Sequence, residues 1–144
     1  MTATIPKKDQ QTVTVDGQPM TRLIEGVIVK SAVTHIDDRG TLCEIHTPHA
    51  APLISQGQVK VAPYDSRPDS PTFGLVNEIY RTDLDRNLMV IPAFVFHAHR
   101  NIGTTDALFV SMPTRAYQHD DPDVYRLPID SDEVPYRFDN RQGW

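Results

Sequence analysis

The chain carries a single cysteine, Cys43, in 144 residues. No internal disulfide can form, which excludes the stapled scaffolds of small secreted domains. Excess positive charge is missing as well: 14 lysines and arginines stand against 19 aspartates and glutamates, a formal net charge of −5. Nucleic-acid recognition through a basic face is therefore not expected, and an anionic ligand would have to be met by individual arginines. The opening Met1-Thr2-Ala3-Thr4-Ile5-Pro6-Lys7-Lys8 lacks the apolar run of a signal peptide, and no segment has the length and apolarity to span a bilayer. A cytoplasmic protein without membrane contacts is expected. No window holds an apolar period of 3.6 residues long enough to demand a long helix.

What is present is punctuation. Twelve prolines and seven glycines divide the chain into short pieces, as does a chain of β-strands joined by turns. Strand-like runs recur at Gly26–Lys30, Leu42–Ile45, Gln58–Val61, Leu75–Tyr80, Leu88–Ile91, Phe94–Phe96 and Ala107–Val110. Turn-rich segments such as Asp37-Asp38-Arg39-Gly40 and Arg67-Pro68-Asp69-Ser70-Pro71 separate them. This spacing predicts a mainly β protein, an antiparallel sandwich or barrel. Residues 1–22 read as a polar tail in which Asp16-Gly17 suits the tight turn of a hairpin arm. Residues 23–144 read as one domain, and Pro113, Pro122, Pro128 and Pro135 predict that its end runs as an extended strap.

Six histidines in a small acidic chain raise the question of a metal. His97 and His99 would share one face of a strand by its two-residue period. His46 and His49 are the nearest other pair, but Pro48 lies between them and their spacing does not match a ligand set. A metal site needs three or more preset ligands, so none is expected, and no other cofactor is implied.

Four segments carry a resemblance when taken in order: Asp37-Asp38-Arg39-Gly40 with Glu44, Ser70-Pro71-Thr72-Phe73-Gly74, Ile91-Pro92 through His97 to Asn101, and Asp120-Asp121-Pro122-Asp123 with Pro128. Across most of residues 23–139 the chain resembles the dTDP-4-dehydrorhamnose 3,5-epimerase family of cupins. It is also similar to a shorter branch that shares forms like Met112-Pro113-Thr114 with Tyr117, and Tyr125-Arg126-Leu127-Pro128. The resemblance implies a cupin-type jelly roll, whole or shortened, that pairs as a homodimer and takes a dTDP-linked 4-keto-6-deoxy sugar. It implies proton abstraction beside the ketone, with His97 and Asp121 as catalytic residues and Arg39, Glu44, His97 and Asn101 as substrate contacts. Against these stand simpler roles: a turn arginine paired with Asp37 or Asp38, solvated charges at Glu44 and Asp121, a barrel-lining His97.

Two departures bear on activity. Phe94 stands where the family's Pro-x-Gly-x-x-His motif has glycine. The segment Thr47–Gly57 runs into Gln58-Val59-Lys60-Val61 without the histidine motif that carries the family's general base. Two functions stay open on these grounds: a sugar-nucleotide epimerase or isomerase, intact or degenerate, in polysaccharide or deoxysugar biosynthesis, and a non-catalytic cupin that binds a nucleotide sugar or a protein partner. A metal-dependent cupin oxygenase is a more distant third.

Overall fold

The structure is a computed structural model, and it describes residues 14–16, 20–31, 34–37, 40–43, 53–84, 87–115, 118–122 and 124–138. Among the described residues there are nine strands and no helix: β1 (Ile28–Ser31), β2 (Thr34–Asp37), β3 (Gly40–Cys43), β4 (Leu53–Gln56), β5 (Gln58–Asp65), β6 (Ile79–Thr82), β7 (Asn87–Val90), β8 (Val95–Asn101) and β9 (Leu108–Val110). They form a four-stranded sheet in the order β1-β7-β4-β9, a three-stranded sheet β6-β5-β8 and a β2-β3 hairpin, all paired antiparallel.

The core lies between the two larger sheets. Val59, Val61 and Val95 on the three-stranded sheet meet Met89 of β7, with Ile24 and Val27 closing one side and Ile79 and Phe109 packed around them. In β5 the residues Val59, Val61, Pro63 and Asp65 are buried toward that core. Tyr64 and Lys60, on the other face, are half-buried.

β5 runs through Pro63 although a proline removes a ladder donor and is unusual in a central strand. Register explains its place. The β6 ladder ends at Val61↔Ile79, and beyond it the Pro63 carbonyl accepts from the Asn77 amide at 3.0 Å. The missing donor thus faces the loop side, where no strand needs it.

Gly57 alone joins β4 to β5, with φ at +88°, and carries the chain from one sheet to the other. A Cβ there would stand 2.8 Å from the Asp106 carbonyl oxygen, so both the backbone angle and the space require glycine.

A buried polar cluster fixes the entry of the domain. Asp65 is 0% exposed, and one of its carboxylate oxygens accepts from Ser70 Oγ and Thr72 Oγ1, both at 2.6 Å. Arg67 adds Nε at 2.8 Å and Nη2 at 2.9 Å, and also donates to the Glu25 carbonyl. Thr72 accepts from the Glu25 amide, while Asn77 accepts from the Ile24 amide and donates to the Arg22 carbonyl. The Ser70-Pro71-Thr72 segment is therefore a latch that binds residues 22–25 to the three-stranded sheet.

Residues 124–138 run without regular structure along that sheet and bound a cavity of about 440 Å³ lined by Tyr64, Phe96, His97, Ile129, Tyr136 and Phe138 among others. The strap is pinned at Tyr136, whose hydroxyl donates to Glu78 at 2.5 Å, and Lys60 donates to the same carboxylate at 2.8 Å. Glu78 is held below its ordinary value by the Lys60 hydrogen bond first and the Tyr136 bond second. Burial and the bond to Glu78 hold the Tyr136 phenol above its own.

Candidate active site

β8 supplies the candidate site, and the turn before it sets its direction. Phe94 sits at φ +62°, a left-handed conformation that costs a residue with a Cβ roughly 1–2 kcal/mol. This is the position where the related motif carries glycine, and the backbone shows the reason. Ser66 Oγ donates to the Phe94 carbonyl at 3.0 Å and fixes the turn against the end of β5.

Beyond the turn, register decides which side chains of β8 share the face of the core row, where Val95 is buried and His97, His99 and Asn101 stay exposed. Val95, His97, His99 and Asn101 pair with Asp65, Pro63, Val61 and Val59, the inward row of β5. His97 and His99 therefore share the inner face, as their two-residue spacing predicts, with ring centroids 5.5 Å apart at 57°. On the other side of β5, Arg81 pairs with Val59 and extends the same row, buried at 2% exposure.

The two histidines are held differently. His97 Nδ1 lies 3.2 Å from the Val95 carbonyl oxygen. A carbonyl only accepts, so that contact puts a proton on Nδ1, and in the neutral ring Nε2 is then the nitrogen with the lone pair. His99 stacks against Phe109 of β9, centroids 4.9 Å apart at 37°. Its pKa is lowered to about 4, first by desolvation and second by repulsion from His97. The ring keeps a large accessible surface, and with its pKa lowered this imidazole is neutral at pH 7.

The other expected site residues are dispersed. Asn101 donates from Nδ2 to the Thr105 carbonyl and accepts from the Gly103 amide, closing the loop after β8. Asp121 is exposed on the approach to the strap. Arg39 and Glu44 lie outside the described residues, as do His46 and His49. Of the expected set, His97 and Asn101 share the inner face of β8. Sequence reading passed over Arg81, the Asp65 latch and the Lys60–Glu78–Tyr136 cluster. In the sequence Arg67 and Ser70 belong to a turn-rich segment and Ser70 and Thr72 to the family-like Ser70–Gly74 segment, and nothing marks Asp65 as their common partner. Among the described residues, no group of three histidines, cysteines or carboxylates could hold a metal ion. Among the same residues, no helix is long and apolar enough to cross a membrane.

Two facing antiparallel sheets, with two histidines on the core-row face of one strand, make a cupin-type barrel. No protein-family model matches the chain. It is 35% identical over 78 residues to a probable low-salt glycan biosynthesis epimerase, Agl13 of Haloferax volcanii, matching 54% of this chain and half of that protein's length. It is 27% identical over 146 residues to the spore coat polysaccharide biosynthesis protein SpsL of Bacillus subtilis, across 81% of this chain and 97% of that one. The fold is that of a dTDP-sugar isomerase from Desulfovibrio desulfuricans, with a TM-score of 0.67 at 18% identity over 78% of this chain and 90% of the other. It is shared by a dTDP-4-dehydrorhamnose 3,5-epimerase from Bacillus anthracis, solved with TDP and PPi bound, with a TM-score of 0.60 at 13% identity over 81% and 87%. The chain thus has the cupin fold of sugar-nucleotide epimerases, and its relatives in sequence are glycan and polysaccharide biosynthesis proteins.

Proposed function

We propose that this protein acts on a dTDP-linked 4-keto-6-deoxy sugar as an epimerase or isomerase of polysaccharide biosynthesis, in the cytoplasm and as a homodimer. The observation that carries the reading is His97, set on the inner face of an epimerase-type barrel with Nδ1 turned to the Val95 carbonyl and Nε2 left to accept a proton. In this reading His97 is the base that removes the proton next to the ketone. Arg39 and Glu44 meet the nucleotide end, and Asp121 closes over the sugar from the strap. Asn101 shapes the rim through its loop contacts. The metal-independent chemistry needs only a base, a donor to the developing enolate oxygen and an acid.

One observation favours the non-catalytic alternative, a barrel that binds the nucleotide sugar without turning it over. Gly57 alone connects β4 and β5, so the chain has no room at that junction for the strand and histidine motif that related enzymes place before β5. Nuclear magnetic resonance in deuterated water separates the two. Wild-type protein should replace the C3 or C5 proton of dTDP-4-keto-6-deoxyglucose with deuterium, and His97→Asn should slow this about 10²- to 10⁴-fold. Binding of the sugar with no exchange would establish the alternative.

A further inference from the structure

Resting on that reading, we propose that His99 is a second catalytic residue, an imidazole that donates a hydrogen bond to the substrate's keto oxygen while His97 takes the neighbouring proton. Three features of the barrel interior support it. His99 projects from the same face and the same strand as His97, with the ring centroids 5.5 Å apart. An α-carbon and the oxygen of its ketone are separated by only two bonds. A base approaching the carbon at about 3–3.5 Å and a donor about 3 Å from the oxygen must therefore come from neighbouring side chains.

The second feature is that the histidines differ in what they can offer. His97 spends its Nδ1 proton on the Val95 carbonyl. Neither ring nitrogen of His99 has a hydrogen-bond partner among the described residues. A neutral imidazole always carries one N–H and one lone pair, so His99 has a donor to give. The third is the wall behind it. Phe109 stacks on the ring and holds it from the opposite sheet, which limits its rotation. Desolvation and the adjacent His97 keep the ring neutral at pH 7, so its N–H strengthens as a donor when negative charge grows on the oxygen.

The step balances on these two groups. The α C–H bond breaks and its proton forms a bond to His97 Nε2. The freed electron pair becomes the C=C bond of the enolate, and the carbonyl π pair moves to the oxygen facing the His99 N–H. Collapse of the enolate takes a proton back at carbon, from His97 on the same face or from water on the other. His97 exchanges its proton with solvent between events, which is how deuterium enters the sugar.

The test uses the full chain, dTDP-4-keto-6-deoxyglucose in deuterated water and dTDP as a separate binding probe. His99→Phe keeps an aromatic ring for Phe109 but has no N–H, and His99→Met gives a second variant without a donor. Both should exchange about 10²- to 10³-fold more slowly than wild type, the effect of removing one oxyanion donor. His99→Gln restores an N–H and should recover part of the loss, and all three should bind dTDP as wild type does. Exchange at the wild-type rate in either donorless variant, with His97→Asn inactive, would overturn the role of His99 and leave the epimerase reading intact. Absence of exchange in wild-type protein that binds dTDP would overturn both.

Discussion

Single residues set the terms for the rest of the structure, and Asp65 is the most consequential. Its carboxylate is fully buried and serves Arg67, Ser70 and Thr72 at once, and the Arg67 hydrogen bonds above all hold it well below the usual carboxylate range. Asp65→Asn preserves shape but leaves Arg67 without its counter-charge. Because Arg67 reaches solvent, the loss should be about 2 kcal/mol, less than for a fully enclosed pair. Chemical denaturation would measure it, and an unchanged midpoint would show that the latch adds no stability. Phe94 offers a sharper contrast at φ +62°. Phe94→Gly should raise stability by about 0.5 kcal/mol, the relieved strain less the added chain entropy, whereas Phe94→Val should lower it. Two thermal transitions that move in the same direction would contradict this account of the turn. For His99 the prediction is a pH dependence. Its folded pKa of about 4 lies below the ordinary 6.5, so on acidification the unfolded chain takes up the proton first. This contribution to stability should fall as pH drops from about 6.5 to 4 and level off below. Asp65, with its depressed value, loses its contribution only below the ordinary carboxylate range. His99→Phe should flatten the upper part of the melting-temperature profile, and a profile identical to wild type between pH 6.5 and 4 would exclude His99 as its source.

Among the elements, β8 and β5 show what alternation and composition can and cannot reveal. The shared face of His97 and His99 follows from a spacing of two, and the paired register confirms it. β4, by contrast, is hidden in sequence: Leu53–Gln56 holds two adjacent apolar residues after Ala51-Pro52, with no alternation to mark a strand. β5 was visible only to Val61, since Pro63 argues against a central strand until its place beyond the β6 ladder is known. The latch was not legible as a latch because its partners, Glu25, Ile24 and Arg22, lie 42 to 55 residues away. The strap was legible in its prolines but not in its anchor, which joins Lys60, Glu78 and Tyr136 from three separate elements. Tyr136→Phe keeps the edge-on contact with Phe138 at 5.1 Å and removes the bond to Glu78. The strap should then open more often, so limited trypsin digestion at Arg126 or Arg137 should accelerate several-fold while the barrel stays folded. Digestion at the wild-type rate would locate the strap's hold elsewhere.

For the molecule as a whole, the antiparallel class came from turn spacing, while the cupin kind came from four short segments in order. One of those segments, Ser70-Pro71-Thr72, turns out to work for the architecture, by tying residues 22–25 to β5 through Asp65. Another, Pro92 through His97, works for the site, through a left-handed turn and an inward histidine. Among the described residues a ligand has the inner face of β8 and the cavity of about 440 Å³ under the strap to meet, and His97 borders both. The central claim is that a keto sugar sits on the inner face, against His97 and His99. Protein labelled at histidine and at the aromatic rings, titrated with dTDP-4-keto-6-deoxyglucose and followed by nuclear magnetic resonance, tests it directly. The predicted result is a saturable shift of the His97 and His99 ring signals while those of Tyr136 and Phe138 stay in place. Shifts confined to Tyr136, Phe138, Phe96 and His97, with His99 unmoved, would put the ligand under the strap and contradict the account.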